Sequence, residues 1–473
     1  MKLRRLFPVS TFSIQNFGCR ATDADAAAIR AELSAAGLEP SHDQAASDVV
    51  VLNTCTVTAS ADTQARDAVR KIHRANPAAR IVVTGCYAQR APEEIAALDG
   101  VAFVVGNSHQ SRIAELVRDT APPVGGGAGL VSAEQLGAGA LSLSRGPAKI
   151  LTGDIFEQSV VQLAPFAERG SALDRTRPIL KIQDGCNNRC SYCVIPFVRG
   201  KSRSLAPDDV VREVRELIAA GAKEIVLSGI NLGSYGRDFS PRVELAVVLR
   251  RILDETSLEQ LRFSSIEPQD VTEEFVALAA STLRIAPHFH VPLQSGSDKI
   301  LKAMHRWYRA AHYAERIKLI RSRMPHAAIG ADVIVGFPSE SAEDFRATRE
   351  LIEALPFTYL HVFSFSARPG TGAEALGEKV NENAIHERAR ELRALGRAKA
   401  AEFRASQAES GRTVRALTLA RGGPGYTEAL TASYLKVRIA GEWPANQWFE
   451  VPLPLEETAV ASAAATQHVL AAI

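Results

Sequence analysis

Cysteine, methionine and tryptophan are all scarce: 473 residues contain six, three and three of them, and aromatic residues make up 6%. No window reaches about 18 apolar residues without a charge, so a membrane-spanning helix is excluded. The start, MKLRRLFPVSTFSIQ, lacks the apolar run of a secretory signal. The chain is therefore expected in the cytoplasm, where disulfides are not maintained, and six cysteines there argue for metal ligation. A net charge of +2 is close to neutral and gives no global case for nucleic acid, so that case has to come from local clusters. What is present is ordinary globular composition, 46% hydrophobic and 23% charged, in a chain too long for a single core.

Residues 11–120 alternate short apolar strands with amphipathic helices. SDVVVLNT (47–54) and ARIVVTGC (79–86) read as buried parallel strands, and residues 60–75 between them carry Ala65, Val69 and Ile72 at helical spacing. This βαβ alternation predicts a doubly wound α/β domain over 10–120. Cys19, Cys55 and Cys86 follow the strands FSIQNFG, VVVLNT and IVVTG. Loops after strand C-termini gather on one edge of such a sheet, where ligands bind, so cysteines far apart in the chain can converge. Three thiols packed as small apolar side chains would leave the same pattern.

Residues 121–171, with PPVGGGAGL and LGAGALSLSRG, read as a flexible linker that holds at most a short strand at 158–163. From 172 to 405, strands are expected at 179–183, 223–228, 261–265, 287–291, 328–335 and 359–364, with amphipathic helices such as 208–221 and 341–355 between them. This repetition predicts an open, partial (βα)6 barrel with its chemistry at the strand C-termini. A basic helix is expected at 386–405. From 406 to 473, short strands with turn signals such as RGGPGYT predict a small β-barrel.

The segment GCNNRCSYC places Cys186, Cys190 and Cys193 directly after the first barrel strand. Closely spaced thiolates in one loop can ligate three irons of a four-iron cluster and leave the fourth iron open. A zinc site would need a further cysteine or histidine, and none follows at finger spacing. The spacing is similar to that of the radical S-adenosylmethionine (SAM) superfamily. More specifically, the chain resembles the methylthiotransferase family: FGCR (17–20), LNTCTVT (52–58), VTGCYAQ (83–89), QDGCNNRCSYCVIPFVRG (183–200), HFHVPLQSGSDKILKAMHR (288–306), GADVIVGFPSE (330–340) and SARPGTGA (366–373) all match. The match spans nearly the whole chain apart from the linker. NTCTVT and QDGCNN are most similar to the branch that modifies N6-threonylcarbamoyladenosine next to the tRNA anticodon.

The resemblance implies two [4Fe–4S] clusters and SAM as cofactors. Cys186, Cys190 and Cys193 would hold the cluster that cleaves SAM to methionine and a 5′-deoxyadenosyl radical. Cys19, Cys55 and Cys86 would hold an auxiliary cluster carrying the sulfur, with a second SAM as methyl donor and carbon 2 of the adenine as acceptor. Ser228, Gly229 and Asn231, in LSGIN, stand where the superfamily has a GGE-like motif for the SAM amine. Glu267, Gln294 and Ser295 follow later strands and are candidates for the SAM ribose or carboxylate, while polar caps on barrel strands explain the same residues equally well. The implied partners are the anticodon stem-loop of tRNA and an electron donor such as flavodoxin or ferredoxin, and the C-terminal barrel is implied to be a TRAM domain. Residues 177–203 hold six basic side chains against Asp184, so Arg199, Lys201 and Arg203 are expected to bind phosphates. After 406 the basic residues are outnumbered by acidic ones, and Tyr426, Tyr434 and Lys436 are the candidate RNA face there. Competing expectations are the same chemistry on isopentenyladenosine or on a ribosomal protein, and a non-enzymatic iron–sulfur RNA-binding protein.

Overall fold

The computed structural model describes residues 10–119, 148–159, 161 and 176–452. They belong to two compact units, the first drawn from 1–170 and 197–200, the second from 171–196 and 201–473.

In the first unit β1 (Thr11–Asn16), β2 (Glu39–Pro40), β3 (Val49–Thr54), β4 (Arg80–Gly85), β5 (Val101–Gly106) and β6 (Lys149–Leu151) form one parallel sheet in the order β2-β1-β3-β4-β5-β6. β3, VVVLNT, is buried along its whole length because both faces are covered. Val50, Leu52, Ile81 and Val83 pack with Val69 and Ile72 of the helix Ala59–Ala75, whereas Val49, Val51 and Val82 pack with Ile29 and Leu33 of the helix Arg20–Ala35. Successive side chains point to opposite faces, so a continuous apolar run suits a central strand between two layers. The strand order reverses between β1 and β3, the switch point at which doubly wound sheets open a crevice beyond the strand C-termini. β6 lies inside the span expected to be linker and pairs with β5. The segment KIL is too short for periodicity to declare it. Residues 121–147, 160 and 162–171 of that expected linker, with half of the expected strand at 158–163, lie outside the described residues, and 158, 159 and 161 carry no strand.

The second unit holds β7 (Ile179–Asp184), β8 (Arg203–Ser204), β9 (Glu224–Gly229), β10 (Gln260–Phe263), β11 (His288–His290), β12 (Ala328–Val335) and β13 (Tyr359–Ser364). β7, β9 and β10 run parallel, with β8 antiparallel on the free side of β7, and β11, β12 and β13 form a second parallel set. Bridges Leu261↔Ile285 and Ser265↔His290 join the two sets. Among the described residues β13 does not pair with β7, so the barrel is partial, as expected. Leu360 of β13 packs on Gly396 of the helix Glu382–Glu409, where an added Cβ would lie 3.2 Å from Leu360 Cβ. Tyr359, His361 and Phe363 therefore point the other way, into the lumen.

The last described strands form an antiparallel sheet, β16-β15-β14-β17, made of β14 (Thr413–Gly423), β15 (Tyr426–Thr431), β16 (Lys436–Ala440) and β17 (Trp448–Pro452). Arg262, fully buried on β10, ties it to the barrel. Its Nε donates to Glu224 Oε1 at 2.7 Å, and Nη1 and Nη2 donate to the carbonyls of Ala432 and Thr431 at 3.0 and 3.3 Å. The same guanidinium lies 5.4 Å from the ring centre of Tyr434, which stacks on His288 at 4.2 Å. Burial pushes the Glu224 carboxyl up, but Arg262 and Arg177 outweigh it and hold the carboxyl below its ordinary range. Arg262→Ala would leave Glu224 buried and without that partner, so urea unfolding should show a loss of about 3–5 kcal/mol. Arg262→Lys should recover part of it, keeping the charge but not the fork. A loss no larger than that of an exposed pair, below about 1 kcal/mol, would contradict this role.

Candidate metal centres and barrel lumen

Cys19, Cys55 and Cys86 follow β1, β3 and β4, at one edge of the first sheet. Cys19 is the N-cap of the helix Arg20–Ala35 and Cys86 opens the helix Cys86–Arg90. The turn before each thiol is tight. A Cβ at Gly18 (φ +140°) would lie 2.9 Å from Cys55 Cβ, and one at Gly85 (φ +95°) would lie 2.3 Å from the Thr54 carbonyl oxygen. Burial, reinforced by the Cys86 and Cys19 sulfurs, pushes the Cys55 thiol up to about 12. Cys86 is likewise raised by burial and Cys19, while the Arg199 guanidinium opposes the rise. β1, β3 and β4 are neighbours in the sheet, with Asn16 beside Asn53 and Thr54 beside Gly85, so the three thiols leave adjacent strand ends. Arg199 is buried between Asp25 and Cys86: Nη2 donates to Asp25 Oδ2 at 2.7 Å and Nε to Cys86 Sγ at 3.4 Å. Asn107 Nδ2 is a second donor to that sulfur, at 3.6 Å.

The other triplet lies in the loop after β7. Burial, together with the Cys190 and Cys186 sulfurs, pushes Cys193 up to about 12, and Cys186 is raised by burial and by Cys190. The loop is anchored from outside: Ser191 N–H donates to the Met304 carbonyl at 3.1 Å, and Ser191 Oγ to that of Ala303 at 2.7 Å. Arg306 Nη1 donates to Cys190 Sγ at 3.3 Å, and its other terminal nitrogen pairs with Glu267. Asn231 Nδ2 reaches Cys186 Sγ at 4.0 Å. None of the six thiols is in a disulfide.

Residues 11–106 match the model of an uncharacterized protein family, UPF0004, and residues 180–352 match the radical SAM superfamily. The threonylcarbamoyladenosine tRNA methylthiotransferase MtaB of Aquifex aeolicus is 35% identical over 429 residues, spanning 91% of this chain and 96% of that protein. Its Bacillus subtilis counterpart is 35% identical over 405 residues, spanning 85% and 83%. A tRNA-2-methylthio-N(6)-dimethylallyladenosine synthase of Syntrophobacter fumaroxidans is 37% identical over 371 residues, spanning 78% and 76%. The solved structure of the radical SAM methyltransferase TsrM from Kitasatospora setae aligns with a TM-score of 0.51 at 18% identity over 77% of each chain, a likeness of fold. The chain belongs to the radical SAM methylthiotransferase family.

A methylthiotransferase of this family works with SAM and two [4Fe–4S] clusters. Two sets of three thiols, one at neighbouring strand ends and one in a single loop, each with a buried guanidinium donating to one sulfur, suit two such clusters: bound thiolates bring negative charge, and a guanidinium in a low dielectric offsets it. Among the SAM candidates, Ser228 Oγ and Asn231 Oδ1 are buried and have no protein partner among the described residues. The Asn231 N–H is fixed by Gln183 Oε1 at 2.8 Å. Glu267 is taken up by Arg306. Gln294 adopts φ +64°, its N–H donating to the Asp332 carbonyl. The Ser295 hydroxyl lies 3.2 Å from Thr348 Oγ1 and accepts from the Ser297 N–H at 3.2 Å.

The expected phosphate contacts need correction. Arg199 is enclosed by Asp25, and Arg203 is buried against Asp184, which also holds Lys181 at 2.9 Å. Only Lys201 of the three is exposed. The apparent excess of charge is consumed by carboxylates, one of them 174 positions away, which a local count cannot register. Tyr434 is likewise no free RNA face, since it stacks on His288, while Tyr426 lies under Arg438 and Lys436 is exposed.

Sequence reasoning missed Arg306 and a polar chain in the lumen. Asp332 Oδ1 accepts from His290 Nε2 at 2.9 Å and lies 3.2 Å from His361 Nδ1, and Tyr359 OH lies within 3.0 Å of a ring nitrogen of both His288 and His290. The signal was two histidines at period two in HFH and an aspartate inside the apolar run GADVIVG. The two imidazoles hold the Asp332 carboxyl well below the usual range against the opposing effect of burial.

A buried Arg199 makes a specific expectation. Arg199→Met should lower the melting temperature and the iron retained by the first unit, because Asp25 loses its partner and Cys86 a donor, while RNA affinity should not fall. Retained stability and iron with lost RNA affinity would restore the phosphate-binding role.

Proposed function

We propose that this methylthiotransferase places a methylthio group on carbon 2 of N6-threonylcarbamoyladenosine beside the anticodon of tRNA. The observation that carries this reading is that relatives 35% identical to the chain, matched over most of their length, are named for that base. Cys186, Cys190 and Cys193 hold the radical cluster, and Cys19, Cys55 and Cys86 the auxiliary one. When bound, these groups and SAM supply the radical, the sulfur and the methyl group, a reactivity no positioned side chain has. The chain does the rest. Asn231 presents a buried amide oxygen beside Cys186, fit to accept from the SAM amine. Glu267 and Arg306 fix Cys190, and the lumen chain Tyr359, His290, Asp332 and His361 orients the base by hydrogen bonds. A one-electron donor of the flavodoxin or ferredoxin class reduces the enzyme, which works in the cytoplasm; among the described residues no helix is long and apolar enough to cross a membrane.

Because a relative named for dimethylallyladenosine is 37% identical, the test must separate the two bases. Mass spectrometry of tRNA nucleosides from a strain lacking this gene should show loss of the 2-methylthio form of N6-threonylcarbamoyladenosine and accumulation of its precursor. Loss of the isopentenyl counterpart instead would overturn the choice of base.

The two triplets should also separate in function. Reconstituted protein should hold about eight irons. Replacing Cys186, Cys190 and Cys193 by alanine should remove half of them and all SAM cleavage. Cys55→Ala should leave SAM cleavage intact and abolish product, and 5′-deoxyadenosine from the triple variant would show the division to be wrong.

A further inference from the structure

Trp307 is the most exposed aromatic side chain described, 76% accessible, and it stands next to Arg306, whose guanidinium touches Cys190. The cleft of about 460 Å³ beside it is lined by Asp298, Lys299, Lys302, Arg306, Tyr308 and Arg309 as well as Trp307. Lys299 is paired with Asp344 and Arg306 with Glu267, and Asp298 accepts from the Ala310 N–H. Lys302 and Arg309 are exposed and make no ion pair among the described residues. The platform is held rigidly from below: Tyr308 is buried, its hydroxyl donating to the carbonyls of Pro292 and Leu293 at 3.1 and 2.9 Å, and His305 Nδ1 lies 3.1 Å from the carbonyl oxygen of Arg189 in the cysteine loop. An indole left in water costs hydrophobic free energy, and one flanked by unpaired cations has the makeup of a single-stranded nucleic-acid site: a ring on which a base stacks, with charges spaced for the backbone.

We infer that Trp307 is a stacking platform for an unpaired nucleobase of the tRNA anticodon loop, with Lys302 and Arg309 on the flanking phosphates, an inference that rests on the substrate proposed above. An RNA partner is favoured over a protein because the cationic pair carries no apolar rim beyond the single indole, whereas a protein interface buries a broader apolar core. The platform would hold the loop in register while the target base enters the barrel.

The test is a binding titration of the holoenzyme with an anticodon stem-loop RNA bearing N6-threonylcarbamoyladenosine, repeated across salt concentrations. Trp307→Ala should weaken binding about ten-fold, and Trp307→Phe much less, because a phenyl ring still stacks. Lys302→Ala with Arg309→Ala should lower the slope of log affinity against log salt by up to about two. SAM cleavage without RNA, and the melting temperature, should stay at the wild-type level in each variant. Unchanged RNA affinity in Trp307→Ala would overturn the inference. So would slower reduction by an acidic flavodoxin with RNA affinity intact, since the face would then dock a protein. If wild-type enzyme binds no such RNA, the substrate reading itself has failed.

Discussion

A carboxylate, a guanidinium and a thiol stand in line at each of the two cysteine triplets: Asp25–Arg199–Cys86 in the first unit and Glu267–Arg306–Cys190 in the second. Each guanidinium is buried, so each must be paired, and the carboxylate behind it fixes which way its remaining donors point. A thiol alone in an apolar pocket resists ionisation, and three close together resist it further. The guanidinium works against both effects and stays in place to offset the charge that bound thiolates bring. The glycine turns, the parallel strands and the anchored loops all serve to bring three sulfurs to such a point.

The two units reach this arrangement by different routes. In the first, the topological switch between β1 and β3 opens an edge that carries cysteines from three neighbouring strand ends. In the second, one loop after β7 carries all three thiols and is anchored by Ser191 and Arg306. A single loop confers proximity by itself, whereas the dispersed set depends on the whole sheet. At the base of the barrel Arg262 and Glu224 fix the last sheet against β10, and His288, Tyr359 and Tyr434 continue that contact as stacked rings toward His290 and Asp332.

Much of this was legible in the sequence, for physical reasons. VVVLNT and ARIVVTGC are long apolar runs, and an apolar run flanked by polar turns has few places to go other than a covered parallel strand. Of the barrel strands, β9 and β12 are marked the same way, and GCNNRCSYC declares its proximity in its spacing. Burial of charge was not legible. Arg199 and Arg203 looked like solvent-facing cations because Asp25 is remote in sequence and because Asp184 was counted as one charge when it holds two. Ser295, a candidate either for SAM or for a polar cap on its strand, bonds to Thr348. Tyr434 looked like a surface ring and packs on His288. In each case the partner lies on another element, and only the fold brings it there.

The pairing of guanidinium with thiol is most directly tested by the reduction potentials of the two clusters, since cluster charge and hydrogen bonds to sulfur set them. Potentiometric titration followed by electron paramagnetic resonance should be run on reconstituted wild-type protein, Arg306→Gln and Arg199→Gln. Removing a nearby positive charge disfavours the added electron, so each variant should lower the potential of the cluster in its own unit and leave the other unchanged. Potentials that stay put in both variants, or that move together, would contradict the pairing.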